Sequence, residues 1–407
     1  MPQHLHIDFE TFSQAELKDV GAYRYAFDPS TEILCAAMAL GDCEPVVWHG
    51  GLTEADLTRY FEPYWDALED PETLVYAFNA QFEIAISSAL MFKTWGIQPP
   101  HISRWRCAMS LARRASLPGS LEKLGEVLEL KTQKDKRGKD LVKKFCIMQK
   151  AKEATAKKPA LPVRRIRPQD DPAAFAELLE YCKTDVVVER DATKMLSYFD
   201  EPINNRNYTL HETINARGVA VNLDALRHAQ TLIDEETQMV GKRFRELTGF
   251  EFTQNKVLLE WCNGQLRDNS VNGDTFNNFD NLQAETIDTF LEKFEETPDE
   301  EAPVVVRALR MKQSVAYVSI KKVQTMLDCA GPGDNRIRGM LNHHGATTGR
   351  STNSLVQFQN MKRPTIKDSE GAYQMLCEGC SREMLEICYG PVLEVISSCI
   401  RHFVQDV

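Results

Sequence analysis

The chain has 407 residues, 43% of them hydrophobic and 26% charged, with a formal net charge of −11. That length predicts two or three domains, each large enough to bury its own core. The acidic balance argues against indiscriminate nucleic-acid binding through overall charge. No apolar run approaches the ~20 residues that span a bilayer. The start, MPQHLHIDFE, lacks the basic residues and apolar stretch of a secretory signal, so the expected location is cytoplasmic, with no membrane contact. Eleven cysteines without a framework suit reduced thiols. The CEGC at Cys377–Cys380 has no matching second pair for structural zinc.

In chain order, HLHIDF, EILCAAMAL, PVVWHG, TLVYAF and ISRWRCAM read as strands of a mixed sheet. Helices are expected between them at Thr53–Leu68 and Phe82–Lys93, and another from Ser120 through LEKLGEVLEL. The segment Lys131–Arg167 is strongly basic, as a solvated loop or a phosphate-facing surface would be. Asp171-Pro172 pairs a helix cap with a proline at the first helical position, opening a helix through AAFAELLEYCKTDVVVERDATKMLSYF. An α/β domain is expected to close near residue 200, with EPINNRN as a linker.

Beyond Tyr208 long amphipathic helices dominate. One starts after a cap at Asn222, a shorter one after Thr253, and a third covers VVVRALRMKQSVAYVSIKKVQTML with Arg307, Arg310, Lys312, Lys321 and Lys322 on its surface. GPGDN breaks the pattern, and NRIRGMLNHHGATTGR returns to strand and loop.

The chemistry begins in the first strand. Alternation puts Asp8 and Glu10 of HLHIDFET on one face, one pleat apart. Two such carboxylates can share hard divalent cations. In YAFNAQFE an apolar strand meets Asn79, and Glu83 falls in the first turn of the next helix, where a carboxylate is also favoured by the dipole. In YCKTD the i, i+4 spacing places Tyr181 and Asp185 on one helix face.

DFE, NAQFE and YCKTD, in this order and these contexts, resemble the three motifs of proofreading 3′–5′ exonuclease domains in family A DNA polymerases. The resemblance covers roughly residues 1–200 and implies an α/β RNase H-like domain. It further implies that Asp8, Glu10 and Asp185 bind two Mg2+ or Mn2+ ions, and that Tyr181 orients the attacking water. Glu83 stands where the family usually has aspartate. Glu180 stands where a histidine subclass has histidine, so the tyrosine type is the match.

HHGATTGRSTNSLVQFQNMKRP resembles the segment of the same family, in its phage-type members, that meets primer–template DNA. The match implies that Arg350 contacts a DNA phosphate or base edge and that Gln359 and Asn360 approach the template. Asn79, Lys321 and Lys322 are further expected DNA contacts. The expected partition is an exonuclease domain at 1–200, a mainly helical thumb-like region at 201–335 and a partial palm at 336–407. The family's polymerase motifs, D-Y-S-x-I-E and an H-D-E-like turn, do not occur. The sequence therefore predicts a metal-dependent 3′–5′ exodeoxyribonuclease acting on single-stranded DNA 3′ ends and primer–template DNA. It is expected to lack polymerase activity alone and to be one part of a split phage enzyme, with palm and fingers on a separate chain. A DNA-binding clamp or scaffold with a weak site, and an RNA-trimming enzyme, are the alternatives.

Overall fold

A computed structural model describes residues 3–133, 137–151, 162–268 and 278–405. Two compact units are built from interleaved segments: Met1–Ala220 with Asp328–Gln359, and Val221–Leu327 with Asn360–Val407.

The first unit is organised by a five-stranded sheet. Its strands are β1 (His4–Phe12), β2 (Glu32–Leu40), β3 (Val46–His49), β4 (Leu74–Ala77) and β5 (Trp105–Cys107), in the order β3-β2-β1-β4-β5. β1 runs antiparallel to β2 and parallel to β4, so the central strand joins two styles of pairing. Leu5, Ile7 and Phe9 point into one core layer with Phe61, Ile84 and Trp105. His6, Asp8 and Glu10 face the opposite side, as strand alternation requires. There β2 offers Cys35, Ala37 and Ala39, small side chains that let the helix Pro172–Met195 press Cys182 and Val186 against the sheet. That helix is capped as the sequence predicts, with the Asp171 carboxylate accepting from the Ala174 amide at 3.1 Å.

Several boundaries differ from expectation, each for a local reason. EPINNRN is not a linker: Pro202 opens a helix to Arg217 that buries Tyr208, His211, Glu212 and Asn215 in the first unit. The helix after Asn79 begins at Ala80 and passes through a π turn at Ser87–Met91. The run 304–327 is two helices, Val304–Ser314 and Lys321–Cys329, with a 3-10 turn at Val318–Ile320. The β-branched, aromatic stretch between them has weak helix preference. REMLEICYGPVLEVISSCIR likewise splits, into Arg382–Tyr389 and Val392–Cys399, because Gly390 takes φ 97° and Pro391 lacks an amide donor. The short helix capped near Thr253 begins at Asn255 and runs to Asp268. In the second unit, Leu223–Thr248 is the long helix, with Asn222 accepting from the Ala225 amide at 3.1 Å. Parts of the basic stretch Lys131–Arg167 lie outside the described residues.

Arg104 carries a structural load that no motif announces. Its guanidinium is 8% exposed and donates to the carbonyls of Thr73 (2.8 Å), Leu68 (2.7 Å) and Ala67 (2.9 Å). It thereby satisfies the C-terminal carbonyls of the helix Glu54–Glu69. Arg104→Ala leaves three buried acceptors unpaired and is expected to cost about 3 kcal/mol. Urea unfolding followed by tryptophan fluorescence checks this, since Trp48, Trp65, Trp95 and Trp105 all lie in the first unit.

Candidate active site

The five residues expected to form the site come from three elements of the first unit. Asp8 and Glu10 are the half-buried members of β1 on the face opposite Ile7 and Phe9. A register shift follows at once: Glu10 pairs with Cys35 and Thr11 with Ile33, leaving Leu34 as the extra residue in β2. Such a bulge re-aims side chains at a strand end. Glu83 lies in the first turn of Ala80–Ile86 and is 4% exposed. Tyr181 and Asp185 sit one turn apart on Pro172–Met195, at 6% and 5% exposure.

The electrostatics bring these groups together. Burial first, then the charge of Asp8 and after it those of Glu189 and Glu10, pushes the Glu83 carboxyl well above the usual carboxylate range. Glu83 Oε2 is buried with no hydrogen-bond partner among the described residues. Burial also raises the Tyr181 phenol far above its ordinary value, reinforced by the charges of Asp185 and Glu10 and by the hydrogen bond it donates to Asp185. Tyr181 is therefore a neutral donor. Acids crowded to this degree suit a hard divalent cation, which would relieve their repulsion. Among the described residues, no three His, Cys, Asp or Glu side chains are arranged so that together they could hold a metal ion. Carboxylates such as Asp8 and Glu10 could hold a cation only in an open site, where one or two acids bind it and water or a phosphate completes its shell.

Two supports of this site were not legible in the motifs. Gly138, at the start of the helix Gly138–Phe145, lies under the Tyr181 ring: a Cβ there would sit 1.9 Å from Tyr181 Cε2. Only glycine allows that approach. The second support is His6, on the same face of β1 as Asp8 and Glu10. Its Nδ1 lies 2.6 Å from Glu189 Oε2, and Thr193 donates to Glu189 Oε1 at 2.7 Å. Glu189 is one turn beyond Asp185, so this pair locks the helix to the strand behind the acids. The spacing of His6 to Asp8 was the available signal.

A cavity of about 320 Å³ opens beside Glu10, lined also by Leu17, Phe82, Val142, Cys146 and Met148. Its walls are mainly apolar, with Glu10, Glu16 and Lys18 as the charged residues on them.

The expected DNA contacts fall in both units. Asn79 precedes the helix Ala80–Ile86 without capping it. Arg350 is exposed in the loop between the paired segments Leu341–Asn342 and Thr352–Asn353, and Gln359 is exposed beyond them. These belong to the first unit. In the second unit, Lys322 and Asn360 line one cavity of about 380 Å³ with Tyr317 and Lys362, whereas Lys321 is exposed next to it in sequence. Arg310 and Lys312, expected on a free surface, are engaged instead: Arg310 donates to the Phe294 carbonyl and Lys312 to Asn255 Oδ1, both at 2.6 Å. Within the basic stretch, Lys139, Lys144 and Arg165 pair with Glu122, Asp171 and Glu32.

The raised Glu83 carboxyl has a stability signature. The folded chain holds this proton more tightly than the unfolded chain does. Stability is therefore fully present below about pH 4.3, the unperturbed glutamate value, and is lost as pH rises through the higher folded value. Glu83→Gln removes that loss. Without added metal it is expected to melt above the parent chain at neutral pH, with the gap closing toward about pH 4. A gap of equal size at every pH would contradict the assignment.

No family model matches the chain. A DNA polymerase of Bacillus phage SP02 is 32% identical to it over 404 residues, which span 98% of this chain and 57% of that protein. The chain thus spans little more than half the length of this relative. Among solved structures, the chain is similar to the POL domain of Pol1 from M. smegmatis, in complex with DNA primer-template and dNTP. The identity is 15% and the TM-score 0.42, with 89% of this chain and 53% of that chain covered. Over nearly all of its length, the chain is homologous to a phage DNA polymerase.

Proposed function

We propose that the first unit is an RNase H-like, metal-dependent 3′–5′ DNA exonuclease of the proofreading type. The observation that carries the reading is the set of half-buried Asp8 and Glu10 on one face of β1, whose charges act both on the buried Glu83 and on the Tyr181 that donates to Asp185, with a cavity beside Glu10. Homology to a phage DNA polymerase supports DNA as the substrate.

Asp8, Glu10 and Asp185 would hold two Mg2+ or Mn2+ ions, which supply water activation and stabilise charge on the leaving 3′ oxygen. The chain's own residues do the rest. The cavity beside Glu10 receives the terminal base and fixes the last phosphate against the acids. The Tyr181 hydroxyl, anchored through Asp185, orients a water for in-line attack on that phosphorus. The new P–O bond forms as the bond to the 3′ oxygen breaks, and a nucleoside 5′-monophosphate leaves. Glu83, whose carboxyl burial and the Asp8 charge raise well above the usual range, offers a hydrogen bond to the same water when it carries its proton.

The proposed contacts to primer–template DNA are Asn79, Arg350 and Gln359 in the first unit and, separately, Lys321, Lys322 and Asn360 in the second. The 407 residues carry neither a D-Y-S nor an H-D-E motif. Nucleotide addition would need a palm bearing such acids, in a longer chain or a separate one, and lies outside the proposed activity. For a phage protein the working compartment would be the host cytoplasm. Among the described residues no helix is long and apolar enough to cross a membrane.

The buried Glu83 in place of aspartate, its carboxyl held above the usual range, favours one rival, a DNA-binding scaffold with a weak site. A 5′-labelled single strand incubated with the chain and Mg2+ separates the two. Stepwise shortening that vanishes with EDTA and in Asp8→Ala is expected; binding without shortening supports the scaffold. In the same assay Gly138→Ala, which displaces the Tyr181 ring, is expected to slow shortening by at least about tenfold, the usual scale of a misplaced reacting group. Full activity in Gly138→Ala would remove Tyr181 from the mechanism. An RNA strand run in parallel tests the choice of DNA.

A further inference from the structure

Three thiols surround the two acids of β1. Cys182, fully buried between Tyr181 and Asp185, places Sγ 3.4 Å from Asp8 Oδ2 and 3.6 Å from the Asp8 carbonyl oxygen. Cys146, just beyond the helix Gly138–Phe145, places Sγ 3.4 Å from Glu10 Oε2. Cys35 lies opposite Glu10 in β2 and packs in the same cluster as Cys182. Each acid of the pair thus has its own sulfur, brought from a different element.

The polarity of these contacts follows from the groups themselves: a carboxylate oxygen accepts, so each thiol donates its one S–H, Cys146 to Glu10 Oε2 and Cys182 to Asp8 Oδ2, both at 3.4 Å. An S–H donor is weak, so it can fix which way a carboxylate oxygen points without competing with a cation for it. Hydrogen bonds behind ligating carboxylates orient them toward the metal.

We propose that Cys146 and Cys182 are positioning residues, thiol donors that aim the Glu10 and Asp8 carboxylates toward the cations of the hydrolytic site. This rests on the exonuclease reading only in taking Asp8 and Glu10 as metal ligands. Cys146 also lines the cavity beside Glu10, so its donor role joins the base-receiving wall to the acid.

The test is binding of Mn2+ alone to the full chain, read from the loss of the free-ion paramagnetic resonance signal, with thermal melts as the folding control. The Cys146→Ala/Cys182→Ala double variant is expected to bind Mn2+ on the order of 10-fold more weakly, the scale typical of lost outer-shell partners. Cys146→Ser/Cys182→Ser, which keeps both donors, is expected to bind close to the parent level. Equal affinity in the alanine variant overturns the proposal, and so does a serine variant that weakens as much as the alanine one, since packing alone would then explain both. If the alanine variant does not fold, Cys146→Thr against Cys146→Val makes the same comparison at matched size: equal affinities overturn the role at Glu10, and weaker binding in valine alone supports it. If the parent chain shows no binding that Asp8→Ala abolishes, the exonuclease reading itself fails and this role falls with it.

Discussion

Like-charge repulsion at one end of the central sheet is the constraint from which the rest of the first unit can be understood. Glu83 and Asp185 are buried beside the half-buried Asp8 and Glu10, and burial together with the Asp8 and Glu10 charges raises the Glu83 carboxyl well above its usual range. Such an arrangement raises the energy of the fold unless something else holds it. Here the holding is done by packing: small residues of β2 let the helix Pro172–Met195 approach the strand, and the His6–Glu189 pair ties the two together behind the acids. Mutual perturbation of this kind, at residues beside a cavity, marks a candidate functional site.

Much of this was legible in the sequence because strands have a strict period. Alternation alone placed Asp8 and Glu10 opposite Ile7 and Phe9, and the i, i+4 relation placed Tyr181 beside Asp185. All five strands of the sheet fall on the segments that alternation and turn signals marked. What pattern could not reveal were contacts between distant segments. Nothing near Gly138 in sequence says that an aromatic ring lies on it, and nothing near Cys146 points to Glu10. Tertiary packing makes those contacts, and period does not encode them.

Helix boundaries failed for a different reason. Amphipathic spacing continues across residues 315–320 and across Gly390-Pro391, so hydrophobic pattern alone joins what backbone chemistry divides. The helix at Pro202–Arg217 was hidden because its start is polar, whereas its buried residues, Tyr208, His211, Glu212 and Asn215, come later. Its burial also draws the segment Asp328–Gln359 into the first unit: Asn215 bonds the backbone of Leu341 through both its amide nitrogen and its oxygen, and Gln81, two residues before Glu83, donates to the Leu341 carbonyl at 3.1 Å. The loop bearing Arg350 is thus anchored on the helix that carries one of the acids.

The account stands on the claim that these acids cut DNA from its 3′ end. Following a label on the 3′-terminal nucleotide of a single strand, with products identified by mass, tests that claim most directly. The account predicts that the label leaves first, as a nucleoside 5′-monophosphate, and only when a divalent cation is present. Label that stays on the strand while the protein binds it, or that leaves on a longer fragment, would contradict it.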